Sequence, residues 1–223
     1  MKKEYTKKAG IVLLVVGIVF TALVILWPIF MMMSQPVGEI NDQLRSLGTR
    51  KSIYVLNFVL ASLIAPSISF ILISIAFFVP SNKDTPILSV MGVLLLVPYI
   101  TLVSIAYTSQ FIILQSFISS GNLIEAGYWY FGNQSSIPYF INQLGYLFFA
   151  LSGLLIGYRF LFEKGIPKSV AVLLWSSGIF SILAFVGLGM KNDVLNFSTI
   201  LSGMLTIPIG ILVILWGMRL RSQ

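Results

Sequence analysis

Five side-chain amides and one tyrosine are the residues of this chain whose chemistry best suits the binding of a ligand. An amide donates and accepts hydrogen bonds without carrying a charge, so a group of amides suits a neutral or amphiphilic molecule rather than an ion. On the helices predicted below, the amides fall in the outer third of the bilayer, although they come from three helices that run in alternate directions. The predicted ligand-binding residues are Asn57, Tyr107, Gln110, Gln115, Asn142 and Gln143.

This polar layer has two interpretations. As a functional site, the amides line a cavity reached from outside, and the aromatic segment at residues 128–131 covers it. As a packing feature, they hydrogen-bond neighbouring helices, which is common in membrane bundles, and the aromatic segment is an anchor at the headgroup level. Unpaired amides are costly in hydrocarbon, so both interpretations predict that these side chains face the interior of the bundle.

Other kinds of chemistry have few candidates in this sequence. The chain contains no cysteine and no histidine, which excludes thiolate catalysis, disulfides and His-ligated metal or haem. Proton relays and ion-coupled pumps need ionisable groups near the bilayer midplane, yet all seven acids fall in predicted tails or loops. We therefore expect no enzyme, no metal site and no cofactor. The acids are Glu4, Glu39, Asp42, Asp84, Glu125, Glu163 and Asp193.

The elements that must position these residues follow from the composition. Of the 223 residues, 57% are hydrophobic and only 9% are charged, whereas a soluble domain carries about 25% charged residues. The chain is too poor in charge to cover a surface that faces water, so most of it must lie in lipid. Its apolar residues form long unbroken runs and not the alternating pattern of barrel strands. The sequence therefore predicts membrane helices.

Six apolar runs are long enough to span a bilayer, because each exceeds the required length of about 18–20 residues. They predict an all-α polytopic transmembrane bundle of six helices, in which residues 1–223 form a single membrane domain. The third run is the longest, and Pro98 in its interior is a natural position for a bend. The predicted spans are residues 11–33, 53–79, 86–118, 138–162, 169–190 and 195–218.

The positive charges predict the orientation of these spans. With both termini in the cytoplasm, ten of the 14 Lys and Arg residues lie inside and four lie outside. This bias is typical of a multi-pass protein of a bacterial-type plasma membrane. Arg45, Arg50 and Lys51 form the contrary cluster, because they lie outside in this topology. The net charge of +7 is therefore attributed to membrane topology, and nucleic acid is not an expected partner.

Three further patterns concern local structure and helix packing. In the loop at residues 34–52, Ile40, Leu44 and Leu47 recur at helical spacing, which predicts a short amphipathic helix on the outer surface. Trp27, near the end of the first run, is expected in the aromatic belt at the outer interface. Small residues at regular spacing let helices approach closely. The predicted packing residues are Gly153 and Gly157, which form a G-x-x-x-G pair, together with Gly203 and Gly210.

The connection between the fourth and fifth runs carries a family resemblance. Residues 157–168 read GYRFLFEKGIPK and lead into an apolar helix, and residues 208–216 form an apolar last helix. This pattern resembles a family of bacterial six-helix integral membrane proteins catalogued as a domain of unknown function. That family's last helix often carries a glutamate, whereas residues 209–215 are apolar here apart from Gly210. The resemblance implies a six-helix membrane protein and no particular activity.

Three classes of function remain open on the sequence. The first is a binding, sensor or accessory subunit. The alternative is a carrier or channel for a neutral or amphiphilic solute with an outward-facing polar site. An intramembrane enzyme ranks last, because histidine, cysteine and buried acids are missing. The expected partners are membrane lipids and either another membrane protein or a second copy of this chain. Amides around a continuous cavity would favour the carrier, and a filled bundle would favour the subunit.

Overall fold

The computed structural model describes residues 2–48, 51–83 and 85–222, with side chains from Glu4 onward. It is 84% helical and contains no strand in these ranges, which confirms the predicted all-α class. The helices are α1 (Lys2–Ser34), α2 (Ile40–Leu47), α3 (Lys51–Phe78), α4 (Pro86–Phe111), α5 (Ile113–Ser119), α6 (Leu123–Trp129), α7 (Ile137–Tyr158), α8 (Ile166–Met190), α9 (Asp193–Asn196) and α10 (Ser198–Arg221).

Six of these helices are long and apolar enough to cross a membrane: α1, α3, α4 with its extension α5, α7, α8, and α10 with its preceding turn α9. Their outward surfaces are also apolar, since large hydrophobic side chains such as Phe70, Leu94 and Met204 are each more than 60% exposed. A surface of this kind is stable in lipid and would associate in water. The protein is therefore an integral membrane protein.

The six long helices form a ring in the order of the chain. Each packs mainly against the long helix before it and the long helix after it, and α1 packs against α10 to close the ring. Successive helices run antiparallel, so the start of α1 and the end of α10 lie at one end of the ring. We call this end the terminal face and the opposite end, which carries α2 and α6, the distal face.

The contact between α1 and α10, which we call the seam, closes the ring. Near the terminal face this contact is made through glycines. A Cβ on Gly10 would lie 2.7 Å from the backbone nitrogen of Arg221, and one on Gly217 would lie 2.6 Å from that of Leu14. One on Gly17 would lie 3.1 Å from the side chain of Ile214. Only glycine lets the two backbones approach this closely, so the seam is fixed by residues seven apart on each helix.

The four predicted packing glycines occupy different environments. A Cβ on Gly210 would collide with Thr21 of α1, and one on Gly157 would lie 3.2 Å from the Trp175 ring of α8. A Cβ on Gly153 would make only ordinary contacts with Leu174, at 3.8 Å or more. Gly203 has open space around it, because a Cβ there would meet no atom within 4 Å. Within this chain, Gly203 therefore does not allow a close approach between helices.

Local structure departs from the sequence expectation at two places. The third span is interrupted at Ile112, where the backbone has φ −107° and ψ −67°, whereas α4 continues through Pro98. The amphipathic helix α2 forms over Ile40–Leu47, with Leu44 and Leu47 fully buried. Its third apolar residue, Ile40, is 40% exposed. Ile40 is the first residue of α2 and therefore lies at the edge of the buried stripe.

Candidate functional site

A cavity of about 100 Å³ lies inside the ring near the distal face. Its walls come from five of the six long helices, and we call it the distal cavity. Trp27 is its residue from α1, and Tyr107 is its residue from α4. The start of α7 contributes Asn142 and Gln143, α8 and α10 contribute small residues, and Phe131 covers the cavity from the distal side. The cavity thus forms where helices from both halves of the chain meet.

All six predicted ligand-binding residues are buried, with none more than 5% exposed. They therefore face the protein and not the lipid. Three of them, Tyr107, Asn142 and Gln143, line the distal cavity. The other three, Asn57, Gln110 and Gln115, are outside its lining. Sequence spacing could place these amides at one depth, but it could not separate those that reach the cavity from those packed beside it.

Gln110 is a hydrogen-bonding hub and not part of the cavity wall. Its Oε1 accepts hydrogen bonds from the Tyr54 hydroxyl at 2.8 Å and from the backbone N–H of Phe131 at 2.9 Å. Its Nε2 donates to the Trp129 carbonyl at 2.8 Å and to the Ser109 hydroxyl at 3.0 Å. Gln110 therefore binds α3, α4 and the aromatic segment together, as the packing interpretation predicts.

The aromatic segment is seated on the cavity by ring contacts. The Phe131 ring lies 5.6 Å from the centroids of the Phe58 and Tyr107 rings and 5.8 Å from that of Tyr139. Aromatic contacts at these separations stabilise by about 0.5–1.5 kcal/mol each beyond area burial. Because Phe131 also lines the cavity, these contacts close it toward the distal face.

Tyr130 connects this segment to the amphipathic helix α2. Its hydroxyl donates to Gln43 Oε1 at 2.7 Å, and Gln43 Nε2 donates to the Gly38 carbonyl at 2.7 Å. Burial raises the pKa of Tyr130 to about 12. The phenol therefore stays protonated, and stays a donor, over the physiological pH range. This hydrogen bond anchors the aromatic segment, which covers the cavity, to helix α2.

The cavity wall contains a donor and an acceptor without partners. Among the described residues, Trp27 Nε1 and Asn142 Oδ1 are buried and make no hydrogen bond. Leaving such a group unpaired costs about 1–3 kcal/mol. By contrast, Gln143 Nε2 donates to the Thr199 hydroxyl at 3.1 Å, and Ser202 of α10 hydrogen-bonds Ser181 of α8 at 2.8 Å. A small molecule with both a donor and an acceptor would match the unpaired pair.

Unpaired amide atoms also occur away from the cavity. Asn57 Oδ1 and Gln115 Nε2 are buried and likewise have no hydrogen-bond partner within the described ranges. An unpaired amide is therefore not by itself a sign of the site. The distal cavity is distinguished by the coincidence of unpaired groups with space.

Aromatic side chains pack between α4 and α7 on the terminal side of the distal cavity. Tyr146 of the cavity wall packs against Tyr99 at a centroid distance of 5.7 Å, and Tyr99 packs against Phe149 at 5.0 Å. Closer to the terminal face, Phe160 and Trp216 make an edge-to-face pair at 5.2 Å. Tyr99, Phe149, Phe160 and Trp216 are buried, so tightly packed rings border the cavity on this side.

A second depression, a groove of about 810 Å³, opens at the terminal face and shares no lining residue with the distal cavity. Arg159 is in its wall and is only 8% exposed. The Arg159 guanidinium donates to the carbonyl of Ala76 at 2.8 Å and to that of Val79 at 2.6 Å, and so caps the end of α3. In the sequence analysis Arg159 is one of the ten positive charges on the inner side, and nothing there predicts this capping role.

Glu163 holds the two loops beside this groove together. Its carboxylate accepts hydrogen bonds from the backbone N–H of Asn82 at 2.6 Å, from the Asn82 side chain at 2.7 Å and from the Ser81 hydroxyl at 3.0 Å. Both charged residues belong to the 157–168 stretch that carries the family resemblance. That stretch therefore has a structural use, which is to connect the α3–α4 loop to the α7–α8 loop.

The described part of the chain has no group of three or more acidic, His or Cys side chains that could hold a metal ion. Comparison of the chain with family models, with curated proteins and with solved structures gives no match. The interpretation of the distal cavity therefore rests on its own geometry.

Proposed function

We propose that this integral membrane protein is a binding protein of the sensor or accessory-subunit type, and that the distal cavity is its ligand site. The observation that supports this most directly is the meeting of Trp27 and Asn142 at one cavity, each with an unpaired buried hydrogen-bonding atom. Tyr107 and Gln143 add polar groups, and within the described ranges no charged residue lines the cavity. A small neutral ligand is the chemistry that this wall fits.

A binding function fits the geometry better than transport. A carrier needs access to its site from both faces, whereas packed rings of Tyr146, Tyr99 and Phe149 border the cavity on the terminal side. The cavity also holds far less than the roughly 300–1,000 Å³ of a pocket for a drug-sized ligand. It is closer to the engineered apolar cavity of about 150 Å³ that binds benzene. A ligand group of a few heavy atoms is therefore the expected occupant.

We also propose an orientation, a family and partners for the protein. Both termini lie in the cytoplasm of a bacterial-type cell, because of the distribution of Lys and Arg, so the distal face lies outside. The protein belongs with the six-helix family of unknown function that residues 157–168 resemble. It is not an enzyme, and its partners are membrane lipids together with another membrane protein or a second copy of the chain.

The test measures whether acetamide, a small neutral molecule with both a hydrogen-bond donor and an acceptor, stabilises the folded protein. A ligand that binds only the folded state stabilises it by about 2.7 kcal/mol at a concentration 100 times its Kd. Acetamide should raise the thermal midpoint of the purified protein in lipid nanodiscs. Asn142→Leu and Asn142→Thr should abolish the rise, because both lose the amide acceptor.

Asn57→Leu is the matched control for this experiment. Asn57 is an equally buried amide with the same unpaired atom, and it does not line the cavity. The Asn57→Leu protein should respond to acetamide as the parent does. An acetamide response that survives in both Asn142 variants, or no response in the parent, would remove the distal cavity as the site.

A further inference from the structure

The α1–α10 seam is closed near the terminal face but not near the distal face. Gly217, Gly210 and Gly203 are seven residues apart on α10, so they lie close to one face of the helix. The first two point at α1, where an added Cβ would collide with Leu14 or Thr21. At Gly203 an added Cβ would meet nothing within 4 Å. The two helices therefore separate between Gly210 and Gly203.

The antiparallel register of the seam places Trp27 opposite Gly203. Gly217 faces Gly10 and Leu14, and Gly210 faces Phe20 and Thr21, so one further heptad along α10 corresponds to the region of Trp27 on α1. Both Trp27 and Gly203 line the distal cavity, and Gly203 is also exposed on the outer surface of the ring. The gap between them therefore joins the cavity to the outside of the ring.

Both helices contain a proline at this level. Pro28 lies inside α1 beside Trp27, and Pro208 lies inside α10 between Gly210 and Gly203. A proline inside a helix removes one backbone hydrogen bond and favours a bend. The two prolines are therefore placed to favour the separation of α1 from α10 at the level of Gly203.

The gap faces the bilayer and not water. Gly203 is five residues after the start of α10, which is about 8 Å along the helix axis. Outward side chains around it are apolar, and Leu26, Ile200 and Met204 are all exposed. Placing a charged group at this depth costs free energy, whereas an acyl or alkyl chain is stable in this apolar surrounding.

The route from water is closed by several contacts at the distal face. Phe131 covers the cavity and is bound to Gln110 through its backbone N–H at 2.9 Å. Beside it, Asn196 Oδ1 accepts from the Tyr139 hydroxyl at 3.1 Å, and Asn196 Nδ2 donates to Gln134 at 3.2 Å. Aqueous access would require these bonds to break, whereas the gap at Gly203 requires none to break.

We infer that the distal cavity is reached sideways from the lipid through the gap between Trp27 and Gly203, and that its ligand is a neutral amphiphile. The uncharged head is small enough for about 100 Å³ and carries both a donor and an acceptor, as an alcohol or a primary amide does. The head bonds Trp27 Nε1 and Asn142 Oδ1, and the apolar chain stays in the gap and the surrounding lipid. This inference rests on the proposed binding function.

The test uses photolabelling in lipid nanodiscs with a dodecanol that carries a diazirine next to its hydroxyl-bearing carbon. Mass spectrometry of the parent protein should locate adducts on Trp27, Asn142 and Tyr146 of the cavity wall. Gly203→Phe should lower this labelling at least tenfold at equal exposure times, because the ring fills the gap. Gly203→Leu should have a smaller effect in the same direction.

Gly189→Phe is the matched control. Gly189 is also an exposed glycine with no atom within 4 Å of an added Cβ, but it lies on α8 and does not line the cavity. Its labelling and its thermal midpoint should equal those of the parent, and the midpoint of Gly203→Phe should also be unchanged. Equal cavity labelling in Gly203→Phe and Gly189→Phe would overturn lateral access.

The outcome separates this inference from the proposed function. If acetamide stabilises the parent through Asn142 and the dodecanol probe leaves the cavity unlabelled, binding at the cavity stands and the amphiphile inference is wrong. If neither probe reaches the cavity, both are wrong. Cavity labelling that depends on Gly203 but not on Asn142 would confirm the route and contradict the assignment of the head group.

Discussion

Replacement of Gln110 by leucine should release the cover of the distal cavity. The change keeps the size and burial of the side chain but removes the three contacts of its amide with Tyr54, Trp129 and Phe131, at 2.8–2.9 Å. Two of these bonds, to Trp129 and Phe131, hold the aromatic segment. Each contributes about 1 kcal/mol net, so their loss favours opening of the segment by about 2 kcal/mol. The equilibrium constant for opening should therefore rise about 30-fold.

The measurement is backbone hydrogen exchange of the purified protein, followed by mass spectrometry of peptides that span residues 128–133. Exchange at the Phe131 amide should become faster by about 30-fold in Gln110→Leu, because that N–H loses its acceptor and the segment opens more often. Peptides from α8 and α10 should exchange as in the parent, since Gln110 makes no hydrogen bond to them. The effect is expected to be local.

Gln115→Leu supplies the control for this prediction. Gln115 is a buried glutamine on the neighbouring helix α5, and its Nε2 has no hydrogen-bond partner within the described ranges. Its replacement should leave exchange at Phe131 unchanged. If the two variants accelerate exchange equally, the aromatic segment is held by general packing, and the role given to Gln110 is wrong.

Three further predictions concern packing, the terminal face and topology. Gly157→Leu should lower the thermal midpoint in detergent well below that of Val172→Leu, because Gly157 faces the Trp175 ring at 3.2 Å and Val172 is 45% exposed; equal midpoints would contradict this packing. Arg159→Leu should destabilise the protein by about 3 kcal/mol in denaturant titration, since two charge-assisted bonds are lost, and Arg159→Lys should restore part of it. Gln35→Cys should react with an impermeant thiol reagent in intact cells and Asn82→Cys should not; the reverse pattern would invert the topology.

The helices and the class of the fold could be predicted from the sequence because the physical signal is local. An apolar run long enough to cross a bilayer is visible in one stretch of sequence, and all six were found in this way. The interruption of the third span could not be placed correctly. The helix α4 continues through Pro98, and the span breaks at Ile112, which carries no local signal in the sequence.

For the candidate site, the sequence could predict only the depth of each residue in the membrane. The positions of Asn142 and Gln110 in their spans gave their depth, but which of them lines the cavity depends on the rotation of α7 and α4 within the ring. Trp27 was expected in the interfacial belt, and its place in the cavity wall depends on the α1–α10 seam. Arg159 enters the sequence analysis only as one of the ten positive charges on the inner side, and its burial at the end of α3 could not be predicted. Each of these depends on contacts between residues distant in the chain.

The arrangement of the ring in chain order has a consequence for biogenesis. Each long helix after α1 packs against the long helix made just before it, so most of these contacts can form during translation. The seam is the exception, because the glycine face of α1 pairs with α10, which is made after the other five long helices. Until then α1 presents Gly10 and Gly17 to the bilayer without their partner. A nascent chain stalled before α10 would leave this close-packing surface of α1 open to other membrane helices, so the synthesis of α10 is also the step that protects α1 from wrong associations.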